Sequence, residues 1–167
     1  MLRSLWKGVG FGLTSGVVTT LGVIIGLHSG THSKLAVIVG IIVLALADAL
    51  SDALGIHISE EAEMEHTAKE LWQTAFFTFV SKLVITLSFI VPIAILDLST
   101  AILVSIAWGL FLITLFSFHM ARKQKTNPYK VAAEHIVITV LVVLSTHILG
   151  DMIYEAFETH LAPLLDN

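Results

Sequence analysis

The sequence contains no cysteine, three prolines and two tyrosines, and only 13% of its 167 residues are charged. Without thiols there can be no disulfides and no thiolate metal sites, so any bound metal must be held by oxygen or imidazole. The scarcity of charge excludes more, because soluble domains carry roughly 25% charged residues. With 56% apolar residues, water is not the main solvent of this chain. The formal net charge is only -4, and the basic residues sit beside apolar runs rather than on a patch, so nucleic acid is not an expected partner. No intramembrane nucleophile, paired histidines or hydrolytic motif is visible, so an enzyme is not expected either. Met1 to Lys7 runs directly into an apolar stretch with no small-residue cleavage site, which argues against a cleaved leader.

What the sequence does contain is apolar runs long enough to cross about 30 Å of hydrocarbon as helices. Five are expected, over residues 8–27, 35–58, 72–96, 101–120 and 131–153. The fold class is therefore an all-α integral membrane protein with five transmembrane helices in a single membrane domain, 1–167. The first span is rich in glycine, with small-xxx-small spacings at Gly12–Gly16 and Gly22–Gly26 that let another backbone approach closely. Residues 59–70 hold no glycine or proline and are expected to extend span two as a short acidic helix beyond the membrane. Asp97-Leu-Ser-Thr100 reads as a tight turn and Asn127-Pro128 as another. The tail from Tyr154 to Asn167 reads as an interfacial helix or a frayed end. Between spans, Arg3, Lys7, Lys69, Arg122, Lys123, Lys125 and Lys130 fall on one side and only Lys34 on the other. Positive residues favour the cytoplasm, so the N-terminus is expected inside and the C-terminus outside.

An ionised group at mid-bilayer costs at least about 2.5 to 3.5 kcal/mol on insertion scales, so Asp48, Asp52 and Lys82 need partners. The aspartates are four apart on one helix face, and Lys82 lies at roughly matching depth on span three. One reading is a buried ion pair between Lys82 and one aspartate that fixes helix packing. The other is a net negative site lining a cation path, with the second aspartate free. Continuing span two as a helix puts Asp48, Asp52, Ser59, Glu63 and His66 on one stripe, with Glu60 at its edge. Glu63 and His66, three apart, can reach one ion of hard or borderline character, although an acidic helix end is often simply solvated. His57, Glu61 and Glu65 point to the opposite face. His147 and Asp151 share a face near the outer end of span five, where they either pack against other helices or form an exit or proton site. His135, Thr139 and Thr146 form another polar stripe, expected to pack. His28, His32 and His160 lie outside.

The run Thr14-Ser-Gly-Val-Val-Thr-Thr-Leu-Gly-Val-Ile-Ile-Gly26, followed by Ala47-Asp-Ala-Leu-Ser-Asp-Ala-Leu-Gly-Ile-His-Ile-Ser-Glu60, resembles the first two spans of the vacuolar iron transporter family. A looser likeness continues from Asn127-Pro-Tyr-Lys-Val-Ala-Ala to Gly150. The resemblance implies a five-span homodimer, joined through glycine-rich span one, with a path between protomers lined by spans one and two. It also implies exchange of cytoplasmic iron(II) or manganese(II) for protons from an organelle lumen or the cell exterior. The family usually has an aspartate where Ser15 stands, a methionine in place of Asp52 and often a glutamate in place of Ile56. Lys82 is foreign to its pattern, and of the long cytoplasmic metal-binding insertion of its plant members only residues 60–70 remain.

The resulting expectation is a proton-coupled exporter of divalent metal in a prokaryotic plasma membrane or an organelle membrane. Its partners are the lipid bilayer, metal ions, protons and a second copy, and it needs no cofactor beyond the metal it carries. Glu60, Glu63 and His66 collect the ion, and Asp52 and Asp48 pass it on beside Ser15, with Lys82 competing for the aspartates. The alternative is a membrane scaffold or metal-sensing protein whose intramembrane charges only lock helix packing.

Overall fold

The computed structural model describes residues 2–64 and 66–161, all of them in helices or the short connections between helices. The elements are α1 (Leu2–Thr31), α2 (Lys34–Ala62), α3 (Ala68–Ser88), α4 (Ile90–Ile95), α5 (Leu98–Lys123), α6 (Pro128–Ala156) and a terminal π-turn, Phe157–Leu161. Five stretches, Ser4–Thr31, Lys34–Ala62, Ala68–Ile95, Leu98–Lys123 and Pro128–His160, are long and apolar enough to cross a membrane. This is consistent with a multi-pass membrane protein. The expected tail beyond Leu161 and the expected position of Glu65 lie outside the described residues.

Helix starts follow side-chain chemistry. Ser33 accepts the Ala36 amide, Asp97 the Thr100 amide and Asn127 the amides of Tyr129 and Lys130, each satisfying donors that a helix leaves unpaired. The Thr100 amide holds the Asp97 carboxyl below its usual range by bonding its charged form. At the same end of the bundle, Lys34 donates its ammonium to the carbonyls of Ala94 (3.1 Å) and Leu96 (2.8 Å), closing the last turn of α4.

Span three is a single stretch, Ala68–Ile95, broken only at Phe89 between α3 and α4. Pro92 has no N–H for the Ser88 carbonyl, so an unbroken helix would orphan that carbonyl. The acidic segment 59–70 is not a continuous extension, since α2 stops at Ala62 and Met64 takes a left-handed conformation (φ 52°). The chain turns there because Thr67 and Glu70 form a reciprocal capping box that starts α3.

Helix α1 is the axis of the molecule, packing against α2, α3, α5 and α6. Lipid tails are as apolar as these side chains, so expulsion of water does not drive the helices together; close packing does. The glycines of α1 supply it within the chain. A Cβ on Gly8 would stand 2.5 Å from the Thr74 carbonyl oxygen on α3, while Gly22 and Gly26 face Val142 and Thr146 on α6. At the far end Gly150 of α6 lies so close to α1 that a Cβ would stand 2.7 Å from the Gly26 carbonyl oxygen. Val17, Leu21, Ile24, Val37, Ile41, Phe89, Ile93 and Ile113 fill the core between these contacts. By contrast α2 turns a long face outward, including Leu46, Ala47, Leu50, Ser51, Leu54, Gly55 and Ile58.

Candidate cation site

Helices α1 and α2 run antiparallel with a fixed register, and that register builds the site. Lys7 pairs with Glu60, Ser15 with Asp52 and Thr19 with Asp48. The partners advance by eight and four residues on α1 as they retreat by eight and four on α2, so all three pairs form one column. Ser15 Oγ donates to Asp52 Oδ2 at 2.7 Å, and Thr19 Oγ1 donates to Asp48 Oδ2 at 3.0 Å.

Lys82 of α3 closes the mid-span site. Its Nζ lies 2.5 Å from Asp48 Oδ2, donates to Ser15 Oγ at 2.9 Å and also bonds Asp52 Oδ2. The side chain is completely buried, whereas those of Asp48 and Asp52 remain 24% and 19% exposed. Space for the lysine stem comes from Gly16, where a Cβ would stand 3.3 Å from Lys82 Cγ. The expectation that Lys82 pairs with one aspartate and frees the other is corrected: one ammonium is shared by both. The two carboxylates thus share one ammonium and each also accepts from a hydroxyl of α1.

A second cluster lies at the end of α2. Oxygen and nitrogen atoms of Glu60, Glu63 and His66 all lie within 4.8 Å of one another, a spacing from which modest side-chain motion reaches one ion. His66 Nε2 is buried without a hydrogen bond and lies 3.3 Å from Glu60 and 3.6 Å from Glu63. The Lys7 ammonium bonds Glu60 and lies 3.8 Å from Glu63, where a bound cation would otherwise stand. The expected stripe needs correction in two places. Glu60, set at its edge, is the buried member and stands in line with Asp52 and Asp48, while Ser59 is exposed. His66 reaches the cluster through the turn at Met64, not along a helix face. Of the residues set opposite, Glu61 is exposed and His57 packs its ring 4.6 Å from that of Trp72.

At the other end, His147 and Asp151 do meet, with Nε2 to Oδ2 at 3.6 Å, and His147 Nδ1 is bonded to Ser29 of α1. Both side chains are about half exposed. The His32 ring lies between those of His28 (5.9 Å) and Tyr154 (4.7 Å). His135 bonds Ser117 Oγ at 2.6 Å and lines a cavity of about 320 Å³ that reaches Thr14 and also Ser15 and Thr19, whose hydroxyls hold the aspartates. The sequence reading missed Thr19 and the pairing role of Lys7. The matching steps of eight and four on spans one and two become informative only once the register between them is known.

No protein-family model matches the chain, and no curated protein matches it well enough to count as a relative.

Proposed function

We propose that this chain is a divalent-metal carrier that moves iron(II) or manganese(II) out of the cytoplasm in exchange for protons, working as a homodimer. The observation that carries the reading is the α1–α2 column, in which partly uncovered carboxylates at mid-span stand in line with the Glu60, Glu63 and His66 cluster. The lysine and arginine count puts that cluster on the cytoplasmic side. There Glu60, Glu63 and His66 exchange Lys7 for the ion. Asp52 and Asp48 take it next, each releasing Lys82 as it binds, and His147 with Asp151 serves the outer side. The likeness of spans one and two to vacuolar iron transporters supports the same ion class.

The second copy sits, in this reading, on α2 rather than on glycine-rich span one, whose glycines are occupied by α3, α5 and α6. The small residues Ala47, Ser51, Gly55 and Ser59, four apart and exposed, run beside the aspartates, and a Cβ on Gly55 would meet nothing within 4 Å. Flux into liposomes tests the proposal, using manganese, iron, cobalt and zinc under an imposed pH gradient. Metal movement that Asp52→Ala abolishes supports it, and absence of movement by the unaltered protein defeats it.

One observation favours a second reading. Both aspartates already engage Lys82, so the charges serve equally as a lock in a scaffold or metal-sensing membrane protein. On that reading the Asp48→Asn, Asp52→Asn, Lys82→Met triple variant keeps all function; on the first it transports nothing.

A further inference from the structure

We infer that the basic loop between α5 and α6, with the apolar groove beneath it, is a binding site for one anionic phospholipid. Arg122, Lys123, Lys125 and Lys130 are all exposed within nine residues of chain. Arg122, Lys123 and Lys125 form no ion pair among the described residues, and the nearest carboxylate to Lys130 is Glu134 at 3.9 Å. The Lys123 ammonium is held 3.1 Å from the centre of the Trp6 ring, which anchors it beside α1.

Most of the loop's backbone amides are already bonded within the loop. The amides of Gln124, Lys125 and Thr126 bond the carbonyls of Met120, Arg122 and Ala121, and those of Tyr129 and Lys130 bond the Asn127 side chain. What the loop offers an anion is therefore its cationic side chains.

Directly beneath them, Leu110, Phe111, Thr114, Leu115 and Phe118 of α5 line a groove of about 470 Å³. Its one hydroxyl, on Thr114, is already donated to the Leu110 carbonyl at 2.6 Å, so the groove presents no polar handle. Leu110 to Phe118 spans about 12 Å of helix, less than half of the roughly 30 Å hydrocarbon layer, which suits an acyl chain from one leaflet. Phe118 joins the two parts. The Arg122 guanidinium lies 4.7 Å from its ring centre, and the exposed Tyr129 meets it edge-on at 5.3 Å. An aromatic pair between an apolar groove and a cluster of cations matches the boundary between acyl chain and headgroup. A ligand apolar along its length and anionic only at one end fits, and a phosphatidylglycerol-type lipid has that form.

Native mass spectrometry of the full chain in detergent tests this, with phosphatidylglycerol and phosphatidylcholine of identical acyl chains. The expected result is retention of one phosphatidylglycerol in clear preference to phosphatidylcholine. Arg122→Gln with Lys125→Gln should lower that retention about thirtyfold, the weight of two juxtamembrane charges. Thr114→Trp, which fills the groove without touching the charges, should lower it as well. Unchanged melting temperatures check that the variants fold. Equal retention of the two lipids by the unaltered protein overturns the inference, a result that needs no variant. So does displacement by soluble glycerol phosphate.

Discussion

The molecule places a lysine between acidic groups twice, once at mid-span and once at the end of α2, and the two sites differ in what the lysine can do. Lys82 has no exposed surface and serves Asp48, Asp52 and Ser15 together, so removing it leaves two largely covered carboxylates facing each other without their ammonium. Lys7 is 37% exposed and shares Glu60 with the His66 side of its cluster, so it can swing into water and be replaced. The first ammonium is fixed by three partners at once, whereas the second has water beside it. Burial of the ammonium, more than the number of carboxylates, separates the two.

The sharpest way to break this comparison is to remove each lysine in turn. Lys82→Met should cost about 3 to 5 kcal/mol, as expected when one member of a buried ion pair is deleted. Lys7→Met should cost less, about 1 to 2 kcal/mol, because its ammonium is partly exposed although Glu60 is buried. Thermal unfolding in detergent measures both, and equal losses would erase the distinction. Next in size, Gly12→Val should destabilise by about 1 to 3 kcal/mol, because a Cβ there would stand 2.5 Å from the Thr78 carbonyl oxygen and force α1 off α3 and Lys82. Gly55→Val, on the open face of α2, should leave the monomer's melting temperature unchanged and lower only the dimer fraction seen by light scattering.

A smaller effect sharpens the exchangeable site. Manganese titration followed by its paramagnetic resonance signal should show Lys7→Met binding several-fold tighter than the unaltered chain and Glu60→Gln about tenfold weaker. Identical affinities in all three would mean that this cluster does not hold the ion. The smallest effect concerns Asp97, held chiefly by the Thr100 amide and only secondarily by the Lys34 charge, whose folded pKa lies below its unfolded value of about 3.9. A depressed carboxyl pKa gives stability that is complete above the unfolded value and lost as pH falls through the folded one. Melting temperature should therefore decline below about pH 4, with a smaller decline in Asp97→Asn, which keeps the cap without the charge.

The five spans were legible in the sequence because hydropathy acts over a few neighbours, whereas four of the helices begin three to six residues before the apolar runs, at Leu2, Ala68, Leu98 and Pro128. The turn at Met64 was hidden, since no glycine announces it, yet Thr67-Ala-Lys-Glu70 carries the capping-box pattern that ends the acidic extension. The break at Phe89 was only half legible: Pro92 marks it, but the effect falls on the turn before. At the site, the identity of Asp48, Asp52 and Lys82 followed from the cost of charge in lipid. Their connectivity did not, because spacing along one helix does not set the register against another. That register put Lys7 on Glu60 and Thr19 on Asp48.

The column between α1 and α2 has a mechanical consequence. Slip α1 by one turn in either direction and only one hydroxyl still meets an aspartate, while the other aspartate comes to face Phe11 or Val23. A displaced setting therefore loses a rung and gains nothing, so the pair behaves like a key seated in a single notch. The three rungs together favour one setting of α1 against α2 over its neighbours one turn away.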